Sequence, residues 1–258
     1  MTTAIENAAS GPPVLTIEGN VGTITLRRPE VANRLAPEDL VALRAHIDSV
    51  NQSEVLVLRV RGTGKHFCSG FDIGQIDPSR KGGSGFEEMV DALEDCRPIT
   101  IAAINGGVYG GATDLALACD FRVGVEGTEM FMPAARLGLH FYRRGLERFQ
   151  TRLGLDMAKR LFLTAQTLKA DEMRRCGFLT DLVPPAEFDD ALDKLTNTVA
   201  SMAPLASTGM KRHLNRMARG ALVSDDLQAD ILKAAMSADL KEGGLAWKEK
   251  RKPVFTGR

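Results

Sequence analysis

The chain has 258 residues, 44% of them hydrophobic, and its 33 basic and 33 acidic side chains leave a formal net charge of zero. That length and apolar content suffice for one extended α/β domain, with or without a helical appendage. The charge balance lacks the electrostatic footprint of a general nucleic-acid binder. No apolar run reaches the ~18–20 residues that a membrane span needs.

Residues 1–13 are small, polar and proline-ended, with neither a basic start nor an apolar centre. They read as a disordered lead-in, not a secretory signal. Residues 14–17 and 21–26 alternate apolar and polar side chains around Gly19-Asn20, as a hairpin does. Pro37-Glu38-Asp39 opens a helix whose one face carries Leu40, Leu43 and Ile47. Residues 55–60 read as a core strand. A glycine-punctuated loop follows over 62–72, and residues 74–85 continue irregularly. Residues 86–96 form a helix candidate. Strands are expected at 121–125 and 129–132, with an irregular stretch from Pro133 to Arg144. Helices follow at 146–153, 157–163 and 170–176, the last stopped by Gly177, and a short strand at 179–183. From residue 187 only helices are expected, at 187–202, 205–219, 225–240 and 245–250. The chain therefore divides into a layered α/β core over 14–186 and a helical region over 187–258. Cys68, Cys96, Cys119 and Cys176 show no CxxC spacing and have apolar neighbours, as buried reduced thiols of a cytoplasmic protein would.

The most informative stretch is 99–120. Ile99 to Ile104 is a buried strand, Asn105-Gly106-Gly107 turns the chain, and Gly110-Gly111 opens a helix. A strand ending in glycines at a helix N-terminus aims free backbone N–H groups outward, with the positive end of the helix dipole behind them. That is an anion or oxyanion site; a tight turn without a ligand is the alternative. Asp114 lies one turn into the helix.

Together these segments resemble the crotonase (enoyl-CoA hydratase/isomerase) superfamily over nearly the whole chain. Four stretches carry the resemblance: Leu26-Arg27-Arg28-Pro29 with Asn33-Arg34-Leu35; Phe67 to Ile73; Ala102 to Gly106 through Gly110-Gly111 and Cys119-Asp120; and Glu242-Gly243 with Ala246-Trp247 and Glu249-Lys250-Arg251. The resemblance implies an α/β fold, a spiral of ββα units, with C-terminal helices that assemble a homotrimer or a dimer of trimers. It implies an acyl-CoA thioester as ligand and no cofactor beyond the coenzyme A moiety of the substrate. The backbone N–H groups of Phe71 and Gly111 would form the oxyanion hole, and Ser69, Asp72 and Ile73 would flank the coenzyme. Trp247 and Lys250 match positions that a neighbouring subunit contributes, and Arg28 and Arg34 are further phosphate candidates.

The sequence departs from the family where protons move. Family hydratases use two glutamates around a water; here those positions hold Asp114 and Ala134. General acid–base catalysis contributes ~10²–10⁴-fold when geometry is right, and alanine cannot move a proton. The loop after Gly138 reads Leu139-His140-Phe141-Tyr142-Arg143-Arg144-Gly145 where relatives have an uncharged loop. His140, Tyr142, Arg143 and Arg136 are the candidate replacements, His140 as a base near neutral pH or, alternatively, as a packed loop residue. Arg143 or Arg144 is placed to pair with an acyl carboxylate; the alternative puts both on the surface, with Glu147 neutralising Arg144. His66 reads as structural. Three functions remain in play: an enzyme of hydratase/isomerase type, or one that decarboxylates or hydrolyses a thioester; an acyl-CoA-binding protein without turnover; and a generic phosphate binder, against which the absence of GxGxxG and P-loop motifs counts.

Overall fold

The computed structural model describes residues 10–75 and 85–258. The hairpin is present as β1 (Gly11–Glu18) and β2 (Val21–Arg27), paired antiparallel. β1 starts before Val14, inside the stretch expected to be a disordered lead-in. Gly11 pairs with Arg27 across a bulge, Arg27 donates to the Pro12 carbonyl at 3.1 and 3.0 Å, and His46 Nε2 lies 2.9 Å from the Pro13 carbonyl. Two prolines hide the strand in the sequence, because they lack N–H donors; an edge strand tolerates them. The rest of that expected lead-in, 1–9, and most of the irregular 74–85 stretch lie outside the described residues.

After α1 (Pro37–Asn51) the chain repeats one unit three times. Each turn supplies a long strand, a short strand and a helix: β3 (Val57–Gly62), β4 (His66–Cys68) and α2 (Phe86–Glu94); β5 (Ile99–Ile104), β6 (Gly107–Tyr109) and α3 (Gly111–Ala118); β7 (Phe121–Val125), β8 (Glu129–Phe131) and α4 (Arg143–Leu153). After α5 (Leu155–Thr164) come β9 (Leu168–Lys169), α6 (Ala170–Arg175) and β10 (Asp181–Val183). The long strands and the three-residue β10 build one sheet in the order β1-β2-β3-β5-β7-β10, parallel from β2 onward, and the other short strands a second in the order β4-β6-β8-β9. This is the expected spiral. The three-residue strands β4 and β6 were read as loop and turn, since neither is long enough to show a period.

All six residues of β5 are buried. Ala102 and Ile104 enter the main core with Leu58, Phe67 and Leu115, while Ile101 and Ala103 meet Phe188 and Leu192 on the other face. A parallel strand covered on both sides reads as a continuous apolar run, as this one does.

The helical region comprises α7 (Phe188–Ala200), α8 (Pro204–Ala218), α9 (Ser224–Ala235) and α10 (Ala238–Glu249). The helix expected over 225–240 is two helices. Ser237 ends the first and caps the second, its Oγ accepting from Leu240 N at 3.1 Å. The expected 245–250 helix is the end of α10. Met210, Leu214, Met236, Leu240 and Trp247 are exposed along this region, with Trp247 at 87%. Among the described residues no helix is long and apolar enough to cross a membrane. The thiols of Cys68, Cys96 and Cys119 are buried, whereas Cys176 is only partly so, correcting the expectation of four buried thiols. Burial pushes the Cys68 and Cys119 thiols up to about 12 and Cys96 to about 11.

Candidate active site

The loop carrying Phe71 is fixed by main chain. Leu35 N donates to Gly70 O at 2.8 Å and Asp72 N donates to Leu35 O at 2.9 Å, a parallel bridge that grips both sides of Phe71. Alternation along an extended backbone then turns the Phe71 N–H to the side away from Leu35. Asn33 holds the gripping segment. It is buried in the left-handed region at φ 54°, donates to Thr63 O at 2.8 Å and His66 O at 2.9 Å, and accepts from Arg28 N at 2.9 Å. Asparagine is the side chain that tolerates this φ while satisfying three backbone groups. The Asn33-Arg34-Leu35 motif is therefore a brace for the loop.

The second glycine turn comes against this loop. Gly110 (φ 56°) donates to Phe131 O at 3.0 Å and precedes Gly111, the first residue of α3. A Cβ on Gly70 would lie 2.7 Å from Gly111 N, and a Cβ on Gly111 would lie 2.7 Å from the Phe86 ring. The missing side chain of Gly70 lets the Phe71 loop close onto Gly111 N, and that of Gly111 makes room for the Phe86 ring. Neither amide has a backbone acceptor among the described residues. Both are spare donors, one at a helix N-terminus.

Asp114 sits one turn down α3 and is 0% exposed. Arg148 of α4, 3% exposed, forks onto it, with Nε 2.9 Å from Oδ1 and Nη2 2.8 Å from Oδ2. The Tyr142 hydroxyl donates to the same Oδ2. The other side of Arg148 meets Asp91 at 2.8 Å and Glu94 at 3.0 Å. Glu94 also binds Arg144 at 2.6 Å and Arg219, from beyond α8, at 3.4 Å; Asp95 binds Arg219 at 2.8 Å. Buried charges persist only when paired and hydrogen-bonded, as these are. Burial opposes the Arg148 charge, but Asp114 and Glu94 outweigh it and raise its pKa. Burial, then the neighbouring Asp114 charge, push the Tyr142 phenol far above its ordinary range. Asp91 is raised by burial against the pull of Arg148. Three donors meet the two oxygens of Asp114, one on Oδ1 and two on Oδ2.

Residues 16–258 match the family model described as enoyl-CoA hydratase/isomerase. The chain belongs to the enoyl-CoA hydratase/isomerase family. It is 33% identical over 210 residues to a short-chain-enoyl-CoA hydratase of Clostridium acetobutylicum, covering 79% of this chain and 80% of that protein. It is 28% identical over 261 residues to a crotonyl-CoA hydratase of Syntrophomonas wolfei, covering 95% and 98%. Among solved structures it is similar to an enoyl-CoA hydratase/isomerase family member at TM-score 0.90 and 25% identity, covering 97% and 98%. An enoyl-CoA hydratase/carnithine racemase from Magnetospirillum magneticum matches at TM-score 0.87 and 25% identity, covering 97% of each chain.

Within this enoyl-CoA hydratase/isomerase family chain, the remaining expected residues fall in three groups. The loop residue that meets Asp114 is Tyr142, not His140. His140 is exposed, with Nδ1 2.8 Å from the carbonyl of its neighbour Phe141, because the turn into α4 at Tyr142 faces that side chain outward. Ala134 is buried in a 3-10 turn over Ala134–Leu137, and its methyl offers no proton. Arg144 pairs with Glu94, Asp91 and Asp95, and the exposed Arg143 with Glu147. On the coenzyme side, Ser69 Oγ donates to Val31 O, Asp72 accepts from Gly74 N at 3.1 Å and lies 3.8 Å from Arg34, and Ile73 is exposed. Arg28 is held by Asp39 and Glu38, which removes it from the phosphate candidates. Trp247 and Lys250 lie at the exposed end of α10, and among the described residues no hydrogen bond or ion pair joins either to the Phe71–Gly111 turn. Sequence reasoning missed Arg148, Asp91 and Glu94. The available signal was Arg144 and Arg148 at helical spacing opposite the acidic end of α2.

Proposed function

We propose that this chain binds an acyl-CoA thioester, holds the thioester oxygen between the Phe71 and Gly111 amides, and stabilises the enolate that forms there. The observation that carries this reading is the pair of spare amides of Phe71 and Gly111, with Gly70 packed so close that a Cβ on it would lie 2.7 Å from Gly111 N. Two fixed donors at a developing oxyanion need no reorganisation when charge appears, and one such donor is worth about 3–4 kcal/mol in a comparable acyl-transfer site. Ser69, Asp72 and Ile73 flank the coenzyme. Trp247 and Lys250 serve the site of a neighbouring copy in a homotrimer or dimer of trimers, which would also cover the apolar side chains exposed on α8 to α10.

The chemistry is of hydratase/isomerase type, as the names of the relatives suggest, with weak water activation. Ala134 supplies no carboxylate and Asp114 is occupied. The same two facts favour a second reading, an acyl-CoA-binding protein without turnover. Crotonyl-CoA and butyryl-CoA separate the readings. The first expects butyryl-CoA binding by calorimetry, slow hydration of crotonyl-CoA, and at least a tenfold gain in that rate in Ala134→Glu. Binding with no product over hours in either protein supports the second. No binding of either thioester overturns both.

A further inference from the structure

A cavity of about 510 Å³ lies beneath α8, and neither Phe71 nor Gly111 lines it. That volume falls in the ~300–1,000 Å³ range of small-molecule sites. The walls are apolar: Ile99 and Phe121 at the starts of β5 and β7, Val199 and Met202 around the end of α7, and Met210 and Leu214 on α8. Methionine conforms to irregular apolar partners, so such walls suit a flexible alkyl chain.

The charged groups in the lining decide which head group fits. Lys211 is settled. Its Nζ lies 2.8 Å from Asp120 Oδ2 and donates to Pro98 O at 2.6 Å, and the same Oδ2 accepts from Thr100 N and Oγ1. Glu94 already meets Arg144, Arg148 and Arg219. Arg152 is different. Its Nη2 is 3.9 Å from Glu94, beyond hydrogen-bonding distance, and its Nη1 donates to Cys119 O at 3.2 Å. Arg122, 4% exposed, donates to that same carbonyl at 2.7 Å. Two guanidiniums thus share one backbone oxygen, and among the described residues no carboxylate hydrogen-bonds either. Burial, then the Arg152 charge, lowers the Arg122 pKa to about 10. A pair of like charges set against one neutral carbonyl favours an anion, and guanidinium favours a carboxylate.

We propose that this cavity is a binding site for a medium-chain fatty carboxylate, whose head group pairs with Arg152 and whose alkyl chain lies along Phe121, Met202 and Met210. The site is separate from the Phe71–Gly111 turn, and the proposal stands without the thioester reading above.

Octanoate is the probe, read by calorimetry on the full chain. The wild type binds it at one site per chain. Hexanoate binds about tenfold more weakly, the size expected of two buried methylenes. Octanol binds about tenfold more weakly or worse, because it cannot make the charge-assisted bond. Arg152→Gln lowers octanoate affinity by about tenfold or more on the same ground, whereas Arg152→Lys, which keeps the charge, retains most of it. Met210→Trp, at a position 60% exposed on the cavity wall, fills the space and weakens binding without touching a charge. Location has its own readout. The chain has ten methionines, and with 13C-methyl labelling the Met202 and Met210 resonances, assigned by Met→Leu variants, move on octanoate addition. No binding, equal affinity for octanol, unchanged affinity in Arg152→Gln, or displacement by butyryl-CoA overturns the proposal. So does binding that appears only once Leu214→Glu has broken self-association, which would make the cavity an interface between copies.

Discussion

The two ends of the Gly111 turn are built from different materials. At the carbonyl end the donors are main-chain amides, and the residues around them are glycines or a braced loop. At the acyl end everything is side chain: Asp114, Arg148, Tyr142, and the methyl of Ala134. The first end is main chain held by main chain, whereas the second is a side-chain network gathered by Arg148. A main-chain donor survives almost any substitution that keeps the backbone path. A side-chain base is lost with one codon. A turn that offers main-chain donors can thus persist while the side chains around it change.

The sharpest test of this contrast is Arg148→Met. It strips the fork from a buried carboxylate and leaves Asp91 and Glu94 short of a partner, so about 3–5 kcal/mol of stability is lost, read from urea unfolding. A loss under 1 kcal/mol would mean that water reaches the cluster and that the acyl end is softer than described. Next comes Gly111→Ala, whose Cβ meets the Phe86 ring at 2.7 Å. Overpacking there costs about 1–3 kcal/mol, and butyryl-CoA affinity falls at least tenfold. Phe71→Leu, by contrast, keeps the amide and leaves affinity within threefold; a large loss would show that the ring, not the backbone, does the holding.

Smaller effects set the baseline. Arg143→Ala removes a side chain that is 86% exposed and paired to Glu147 one turn away on α4. Such a pair is worth about 0.3–0.5 kcal/mol, and thioester binding does not change, although Arg148 is only five residues on. The smallest is an acid slope. The Arg251 guanidinium holds the Glu242 carboxyl down to about 2 from its ordinary 4.5. A depressed folded-state pKa adds stability above the unfolded value that is lost as the pH falls toward the folded one. Glu242→Gln therefore flattens the pH dependence of the unfolding midpoint between about pH 4.5 and 2; an unchanged slope would show that the pair forms no linkage.

The carbonyl end was legible in the sequence for the reason that it is durable. Gly110-Gly111 after an apolar strand, and Asn33-Arg34-Leu35 after a hairpin, are local patterns with local causes. The acyl end was not, because its contacts join residues far apart in the chain. Arg148 reaches Asp114 across 34 positions and Asp91 across 57, and Arg219 reaches Glu94 across 125. No periodicity within α4 says which acid an arginine will find. His140 was preferred over Tyr142 on its titration range, an argument blind to which of the two side chains α4 turns inward. The break at Ser237 was missed because the apolar pattern continues through it, while a single hydroxyl cap decides where one helix ends and the next begins.

The brace beneath Phe71 has a consequence for how this protein would adapt. Its hinge points, Arg28, Asn33, Leu35 and Asp39, sit behind the Phe71 loop, yet they set the aim of one of the two donors. Selection for altered turnover would therefore find productive changes in the segment joining β2 to α1, a region that a catalogue of pocket-lining positions would leave untouched.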